Sequence, residues 1–239
     1  MVALEEIMGL VEIGQAILSR SAQRVELCAE NLSNITTPGY KAKSSFDALI
    51  ASGATAALTG DSTQAPGVDF AGGALQNTGN PYDLALSGSG FFVVRDANNA
   101  TFYTRDGQFS RDADGKLVTA DGKVLQSLSG DLSIGQGEMK VLADGTVLAN
   151  GEPSGRIAVM NFAAGEGLKP AGGNVFTGES ANAKPAVAEI HQGMLEASNV
   201  STAAEMIAMM VALRGAGSGQ RVVQLYDDLM GRAVTAFSQ

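Results

Sequence analysis

The stretch "NLSNITTPGYKAK", residues 31–43, ends a run of helical character and decides how the rest of the chain is arranged. Asn31 and Asn34 carry side chains that compete with a helical backbone for hydrogen bonds. Pro38 disfavours the α conformation in the residue before it, and Gly39 can adopt the positive φ of a sharp turn. A single glycine or proline ends an ordinary helix, so this density of stop signals predicts a turn at a defined place.

Upstream of the turn, residues 3–33 contain no proline and carry a heptad pattern. One apolar position repeats every seven residues, and the positions are Leu4, Val11, Leu18, Val25 and Leu32. The companion positions are mostly small, and they are Ile7, Gly14, Ser21 and Cys28. This pattern predicts a coiled-coil-like helix over residues 1–36. An ordinary amphipathic helix on a globular core is the alternative interpretation.

Downstream of the turn, most of the 30 glycines lie between positions 53 and 193. Short apolar runs alternate there with turn signals; the runs are "FFVV" (91–94), "TFYT" (101–104), "KLVT" (116–119) and "GRIAVMNF" (155–162). The turn signals include "ADGK" twice and "ADGT", and Asp-Gly favours hairpins because both residues tolerate positive φ. We therefore predict a β-rich central domain over 81–190, preceded by a turn and extended connector over 37–80.

The helical period returns near the C-terminus, and a helical segment is predicted over 191–239. "TAAE" (202–205) has the form of a capping box, and Met206, Met209 and Leu213 follow on one face of the predicted helix. The glycine cluster "GAGSG" (215–219) is expected to bend or fray this helix. The predicted fold class is α+β, with long N- and C-terminal helices flanking a glycine-rich, mainly antiparallel β central domain.

The composition and the N-terminal sequence weigh against a nucleic-acid partner, an internal disulfide, a cleaved signal peptide and a membrane helix. The net charge of −9 weighs against nucleic acid, because phosphate binding needs a concentrated basic surface. Cys28 is the single cysteine, so the chain has no internal disulfide. The N-terminus lacks the positive start of a cleaved signal peptide, and no apolar run approaches the roughly 20 residues of a membrane helix.

The candidate chemical groups do not combine into a catalytic or metal site. His191 is the single histidine, and no Gly-x-Ser-x-Gly elbow accompanies it. Asp112 and Asp114 begin like a calcium loop, but the later ligands are missing at the required spacing. Cys28 lies on the helical pattern and is expected to pack as a small hydrophobe. We predict no enzyme activity, no cofactor, no metal and no small-molecule substrate.

Three blocks of this sequence resemble bacterial flagellar rod and hook proteins. The first contains Asn31, Leu32, Asn34, Thr37, Gly39, Tyr40 and Lys41. The second joins "TGNPYDLALSGSGFFVV" (78–94) to "YTRDGQFSRDADGKLVTADG" (103–122). The third contains Gly193, Leu195, Glu196, Ser198, Asn199 and Val200. The blocks occur in the same order as in the family, and they lie near both ends and in the middle of the sequence.

The resemblance implies a structural subunit of the flagellar basal-body rod. Such a subunit assembles helically with copies of itself and with other rod subunits through its terminal helices, and forms a torque-transmitting shaft. The resemblance also implies passage through the flagellar export apparatus, of type III, without a cleaved signal peptide, into the periplasm-spanning rod. The ending "GQRVVQLYDDLMGRA" (219–233) looks most like the proximal-rod member, and the distal-rod member is the close alternative.

A different class remains as an alternative, namely a monomeric β-rich enzyme or carbohydrate-binding protein. It predicts a deep pocket and ordered termini packed on the central domain. Limited proteolysis separates the two, because a rod subunit is expected to lose both ends rapidly and leave a stable core.

Overall fold

A computed structural model describes residues 2–44, 67–162, 167–179, 182–186 and 188–237. The chain divides into two compact units. The helical unit contains Met1–Ser33, Lys43–Gly67 and Ser201–Gln239, and the β unit contains Asn34–Ala42 and Val68–Val200. Both units draw on segments that are far apart in sequence. Residues 45–66 of the predicted connector lie outside the described residues.

Two helices, α1 (Val2–Ser33) and α2 (Thr202–Phe237), make up most of the helical unit. They run antiparallel, because Gly14 lies against Gly219 while Ser21 lies against Gly215. Helix α1 ends just before the predicted turn, where the Thr37 amide donates to the Asn34 carbonyl at 3.1 Å.

The N-terminal cap of α2 lies one residue earlier than the sequence predicts. The backbone amide of Ala204 donates to the Ser201 hydroxyl at 3.5 Å, and the Glu205 amide donates to the Ser201 carbonyl at 2.9 Å. Ser201 is therefore the capping residue, and Thr202 is the first residue of the helix.

The glycine cluster does not interrupt α2, so the prediction that the helix frays at residues 215–219 was wrong. A Cβ added at Gly219 would lie 3.1 Å from the Gly14 carbonyl oxygen and 3.0 Å from Leu18 Cγ. A Cβ added at Gly215 would lie 2.8 Å from Ser21 Oγ. The glycines thus allow the two helices to approach closely, and this packing offsets their poor helix propensity.

The helix contact follows the small companion positions of α1. Gly14, Ser21 and Cys28 are buried, as is Ala212 of α2. The heptad residues Val11, Leu18, Val25 and Leu32 are only half-buried. On α2, Met209 is half-buried, whereas Met206 and Leu213 are exposed. The side chain of Leu4 lies outside the described part of the chain.

Short strands make up the rest of the described structure. Their bounds are β1 (Lys43–Ser44), β2 (Gly67–Val68), β3 (Leu75–Asn77), β4 (Leu84–Ser87), β5 (Phe91–Arg95), β6 (Thr101–Thr104), β7 (Ser110–Arg111), β8 (Leu117–Val118), β9 (Val124–Ser127), β10 (Gly130–Asp131), β11 (Met139–Val141), β12 (Thr146–Ala149), β13 (Glu152–Arg156), β14 (Val159–Asn161), β15 (Lys169–Pro170), β16 (Val175–Thr177), β17 (Lys184–Pro185), β18 (Glu189–Gln192) and β19 (Met194–Glu196).

The β unit is built from antiparallel ladders around a central strand, β5. The largest sheet has the order β15-β16-β6-β5-β9-β8-β7, with β10 beside β9 and with β14 beside both β5 and β17. Smaller ladders are β11-β12-β13, β18-β4 and β19-β3. Phe92 and Val94 of β5 belong to the larger hydrophobic core, and Phe91 and Val93 belong to a second one. Both faces of β5 are therefore covered, as its continuous apolar run requires.

The three Asp-Gly signals form the predicted hairpin turns. The glycines at 115, 122 and 145 have φ of +76°, +76° and +88°. Each glycine amide donates to the carbonyl three residues earlier, at 3.2, 2.9 and 2.9 Å respectively. The preceding aspartates keep negative φ, so each turn is a type I turn followed by a glycine bulge.

The predicted helical segment over 191–239 needs one correction. Residues 189–192 and 194–196 form β18 and β19, and the helix begins only at Thr202. These strands pair with β4 and β3. The α+β class with a mainly antiparallel β-rich middle is confirmed, with one helix at each end of the described chain.

The close contact between the helices predicts opposite effects of two neighbouring substitutions. Apart from its own turn of helix, nothing in the described chain lies within 4 Å of a Cβ added at Gly217, so Gly217→Ala should raise the free energy of unfolding by about 0.5–1 kcal/mol. Gly219→Ala should lower it, because the new methyl group meets the Gly14 carbonyl. Urea unfolding followed by circular dichroism measures both. An equal gain in stability from Gly219→Ala would contradict the close contact.

Candidate assembly site

The centre of the candidate site is the carboxylate of Glu196, which is 2% exposed. Lys41 Nζ donates to Glu196 Oε1 at 2.6 Å, and Arg105 Nη1 donates to Glu196 Oε2 at 3.1 Å. The backbone amide of Gly73 donates to Oε1 at 2.9 Å. Both carboxylate oxygens are therefore satisfied by charged or amide donors inside the β unit.

The ion group joins the three sequence blocks that resemble flagellar proteins. Lys41 comes from the turn block, Arg105 from the central block and Glu196 from the C-terminal block. Of these, Arg105 was missed as a site residue in the sequence analysis, although "YTRDGQF" contains it. The signal that could have found it is an arginine placed directly after the apolar run of β6, before the polar residues of the hairpins.

Gly39 allows the turn to approach the central block. Its φ is +67°, and a Cβ there would lie 2.3 Å from the backbone carbon of Arg105. Its amide donates to the Glu196 carbonyl at 2.7 Å. A side chain at this position would therefore clash with the backbone, which explains why the turn block needs glycine directly before Tyr40 and Lys41.

Because Lys41, Arg105 and Glu196 are buried, their charges must be compensated inside the β unit. Burial lowers the pKa of the Lys41 amine, and the Glu196 carboxylate opposes that shift. Burial also lowers the pKa of the Arg105 guanidinium. Arg105 is further held by the Gly88 carbonyl, which accepts from Nη2 at 2.6 Å, and it lies 5.4 Å over the ring of Phe91. Two cations thus depend on one carboxylate for compensation.

Asn199 acts as a second link in the same region. Its Oδ1 accepts from the Ala42 amide at 2.7 Å, and its Nδ2 donates to the Asp69 carbonyl at 2.9 Å. Its backbone amide donates to the Tyr40 carbonyl at 3.4 Å. The side-chain amide therefore connects the chain that leaves the turn with the chain that enters α2.

In the helical unit, Asn31 forms a comparable link. Its Nδ2 donates to the Lys43 carbonyl at 2.7 Å, and its Oδ1 accepts from the Lys43 amide at 2.9 Å. Nδ2 also donates to Glu205 Oε1 at 3.0 Å, and Glu30 pairs with the Lys43 amine. The asparagine thus satisfies backbone groups of β1 and a carboxylate in the first turn of α2.

The other predicted motif residues occupy structural positions. The Asn34 side chain accepts from the Thr37 hydroxyl at 3.2 Å, and the Ser198 hydroxyl accepts from the Val200 amide at 3.3 Å. Gly193, with φ of +74°, separates β18 from β19. The apolar members that are buried are Tyr40, Leu195 and Val200, and Leu32 is half-buried. Their importance for assembly stays a prediction.

Cys28 lines a cavity of about 110 Å³ together with Leu27, Asn31 and Glu205. Burial, followed by a hydrogen bond to Glu205, raises the pKa of the thiol to about 11. The thiol is therefore protonated near neutral pH and packs as a small apolar group. Across the described ranges, no group of three His, Cys, Asp or Glu side chains could hold a metal ion. No helix in the same ranges is long and apolar enough to cross a membrane.

Comparison with known proteins gives two family matches. Residues 85–149 match the flagellar hook protein FlgE/F/G D1 domain, and residues 191–236 match the flagellar basal body rod FlgEFG protein C-terminal region. The second match begins at β18, five residues before Glu196. The first contains both β5 and Arg105.

Similar full-length relatives are rod proteins of two kinds. The chain is 31% identical to FlgG of Agrobacterium fabrum, over 86% of this chain and 90% of the relative. It is 32% identical to FlgF of Caulobacter vibrioides, over 89% and 91%, and 29% identical to FlgF of Escherichia coli, over 90% and 92%.

The two family matches and these relatives identify the chain as a structural protein of the flagellar axial class. The chain belongs to the flagellar basal-body rod protein family. Its relatives in that family include both FlgF and FlgG proteins.

Removing the negative charge of Glu196 should destabilise the β unit strongly. Glu196→Gln leaves Lys41 and Arg105 buried without a counter-charge, so the expected loss is about 3–5 kcal/mol of unfolding free energy. Lys41→Met should cost less, because it leaves one cation facing one carboxylate. Urea denaturation followed by tyrosine fluorescence measures both variants.

Glu152→Gln provides the matched control for this measurement. Glu152 lies on an exposed position of β13, so its substitution should change stability by less than about 0.5 kcal/mol. Wild-type stability of Glu196→Gln would show that the buried ion group is not a structural requirement.

Proposed function

We propose that this protein assembles into the rod through the outward faces of its two terminal helices. The observation that carries the proposal is the distribution of exposed apolar side chains. Those on the helices are Ile13, Met206, Ile207, Met210, Val211, Leu213, Leu225 and Met230. Those elsewhere in the described chain are Leu75, Leu128 and Leu142. Monomeric proteins rarely expose contiguous apolar surface without a binding role.

Three exposed apolar residues near the start of α2 form a face directed away from α1. Successive residues of a helix are rotated by about 100°, so Met206, Met210 and Leu213 lie opposite the positions that contact α1. Ala212 and Gly219 are buried on the inner side. We call the outer set of Met206, Met210 and Leu213 the outer stripe of α2. Ile207 and Val211 flank this stripe.

The energetic gain from covering this surface is appreciable. Full burial of a Leu, Ile or Met side chain contributes about 1.5–3 kcal/mol, so each half-exposed side chain would contribute roughly 1 kcal/mol on assembly. Several such side chains per subunit would therefore favour the association of identical or related chains. The proposed role is mechanical, in a torque-transmitting shaft, and uses no catalytic group.

The β unit offers fewer routes to self-association. Three of the edge strands, β13, β15 and β17, each contain a proline, namely Pro153, Pro170 and Pro185. A proline at a sheet edge removes a backbone donor and discourages the addition of a further strand. This arrangement supports assembly through the helices in preference to pairing of strands between copies.

Charges on the outer face of α2 should abolish assembly without unfolding the protein. Ile207→Glu combined with Leu213→Glu places two carboxylates on exposed positions, so the circular dichroism spectrum should stay that of the wild type. Incorporation into isolated basal bodies and motility should be lost in cells that carry only this variant.

The matched control is Leu128→Glu, because Leu128 is 59% exposed in the β unit. This variant should be incorporated and should support motility. Normal incorporation of the double helix variant would contradict the proposed interface.

Within the rod, we propose the proximal position of FlgF, with the distal position of FlgG as the alternative. The ending "GQRVVQLYDDLMGRA" (219–233) supports the first, while relatives of both kinds show comparable identity. Export through the flagellar type III apparatus without a cleaved signal peptide, and a place in the periplasm-spanning rod, belong to the same proposal.

Complementation separates the two positions. Expression of this chain should restore motility to cells of its own host that lack FlgF, and should leave cells that lack FlgG non-motile. Rescue of the FlgG-deficient cells alone would reverse the assignment.

A further inference from the structure

We propose that Met206 and Met210 are an oxidation-sensitive site that controls whether the free subunit can assemble. This inference rests on the proposed function, because the two residues belong to the outer stripe of α2. It adds a chemical modification that would act on the subunit before assembly and that assembly itself would prevent.

Met206 and Met210 are the two most exposed methionines among the described side chains, and Met230 follows at 39%. Met206 and Met210 are 52% and 53% exposed, whereas Met139 in the β-unit core is 5% exposed. Met209 lies on the same helix, but is half-buried. The susceptibility of a thioether to oxidation follows its exposure. The helix therefore presents two reactive thioethers one turn apart, with a protected methionine between them.

The reaction is a transfer of one oxygen atom. Hydrogen peroxide, the oxidant named here, gives an oxygen atom to the methionine sulfur and leaves as water. The peroxide O–O bond breaks, a sulfur–oxygen bond forms, and the sulfur is oxidised by two electrons. The product is methionine sulfoxide, which a thiol-dependent sulfoxide reductase converts back to the thioether.

Oxidation changes the surface and preserves the fold. A sulfoxide is polar, so two of them interrupt the outer stripe, and leave Leu213 as its apolar member. The inner face of α2, which contacts α1 through Ala212 and Gly219, contains neither residue. The modified subunit should therefore keep its helix pair and lose its outer apolar contact.

The first experiment measures site-specific reactivity in the full-length purified protein. Dilute hydrogen peroxide is added, samples are quenched over time, and peptide mass spectrometry gives the sulfoxide fraction at each methionine. Met206 and Met210 should oxidise about tenfold faster than Met139, with Met209 slower than its two neighbours. Equal rates at all four positions would overturn the proposal. Circular dichroism before and after treatment should be unchanged.

The second experiment tests the effect on assembly in cells that carry only the variant chain. Met206→Gln with Met210→Gln imitates the polar product, and should reduce incorporation into basal bodies several-fold. Met206→Leu with Met210→Leu stays apolar and cannot be oxidised at these two positions. Its incorporation, measured relative to its own untreated level, should therefore not fall when peroxide is added during rod formation. Wild-type cells should lose incorporation under the same treatment, and sulfoxide reductase should restore it.

Controls separate this inference from the proposed function. Leu128→Gln places the same polar side chain on an exposed position of the β unit, and should assemble normally. If the glutamine pair assembles like the wild type, or if the leucine pair is as peroxide-sensitive as the wild type, the oxidation site is refuted while the rod assignment stands. If cells without this chain build normal rods, the proposed function fails instead.

Discussion

The structure depends on the burial of one carboxylate, that of Glu196, between Lys41 and Arg105. A buried ion group gains little net stability, because desolvation cancels much of the attraction between the charges. The ion group nevertheless favours one arrangement of the chain strongly, because any fold that separates its three side chains leaves a buried charge without compensation. In this chain the partners come from the turn after α1, the central block and the strand before α2. The group therefore fixes, inside the β unit, how the chain that leaves α1 and the chain that enters α2 lie side by side.

Features with a local cause could be predicted from the sequence. The end of α1 follows from Asn34, Pro38 and Gly39, which act on the backbone within a few residues of themselves. The hairpins follow from Asp-Gly pairs for the same reason. Strand β5 could be predicted because "FFVV" is a short run of residues with high β propensity. Family resemblance supplied the motif residues, but gave no physical role to most of them.

Features that depend on contacts between distant residues could not be predicted. Nothing near Arg105 in the sequence indicates that its partner is Glu196, which lies in another block. Helix propensity assigns a destabilising cost to each glycine of the cluster. It contains no information about the close contact between Gly14 and Gly219, which lie in different helices. Residues 191–196 were assigned to the helical segment, although they form strands. The strands that pair with them, β3 and β4, lie more than 100 residues earlier, so no nearby sequence signal indicates the pairing. In each case contacts between distant residues outweighed the secondary-structure preference of the local sequence.

The division of small and large residues between the two sides of α2 connects the fold with assembly. If leucines and methionines filled the contact with α1, the pair would be stable by itself and little apolar surface would remain for other chains. Instead Gly215, Gly219 and Ala212 face α1, and the outer stripe of α2 faces outward. The backbones approach closely at these small residues, and Val222 and Val223 pack against Gly14 beside them. In the proposed assembly, the exposed apolar side chains of α2 are available for contacts between subunits, and the prolines of β13, β15 and β17 discourage competing strand pairing. A subunit of this kind is expected to be stable enough to keep its shape, and to bury most of its helical apolar surface only when related chains surround it.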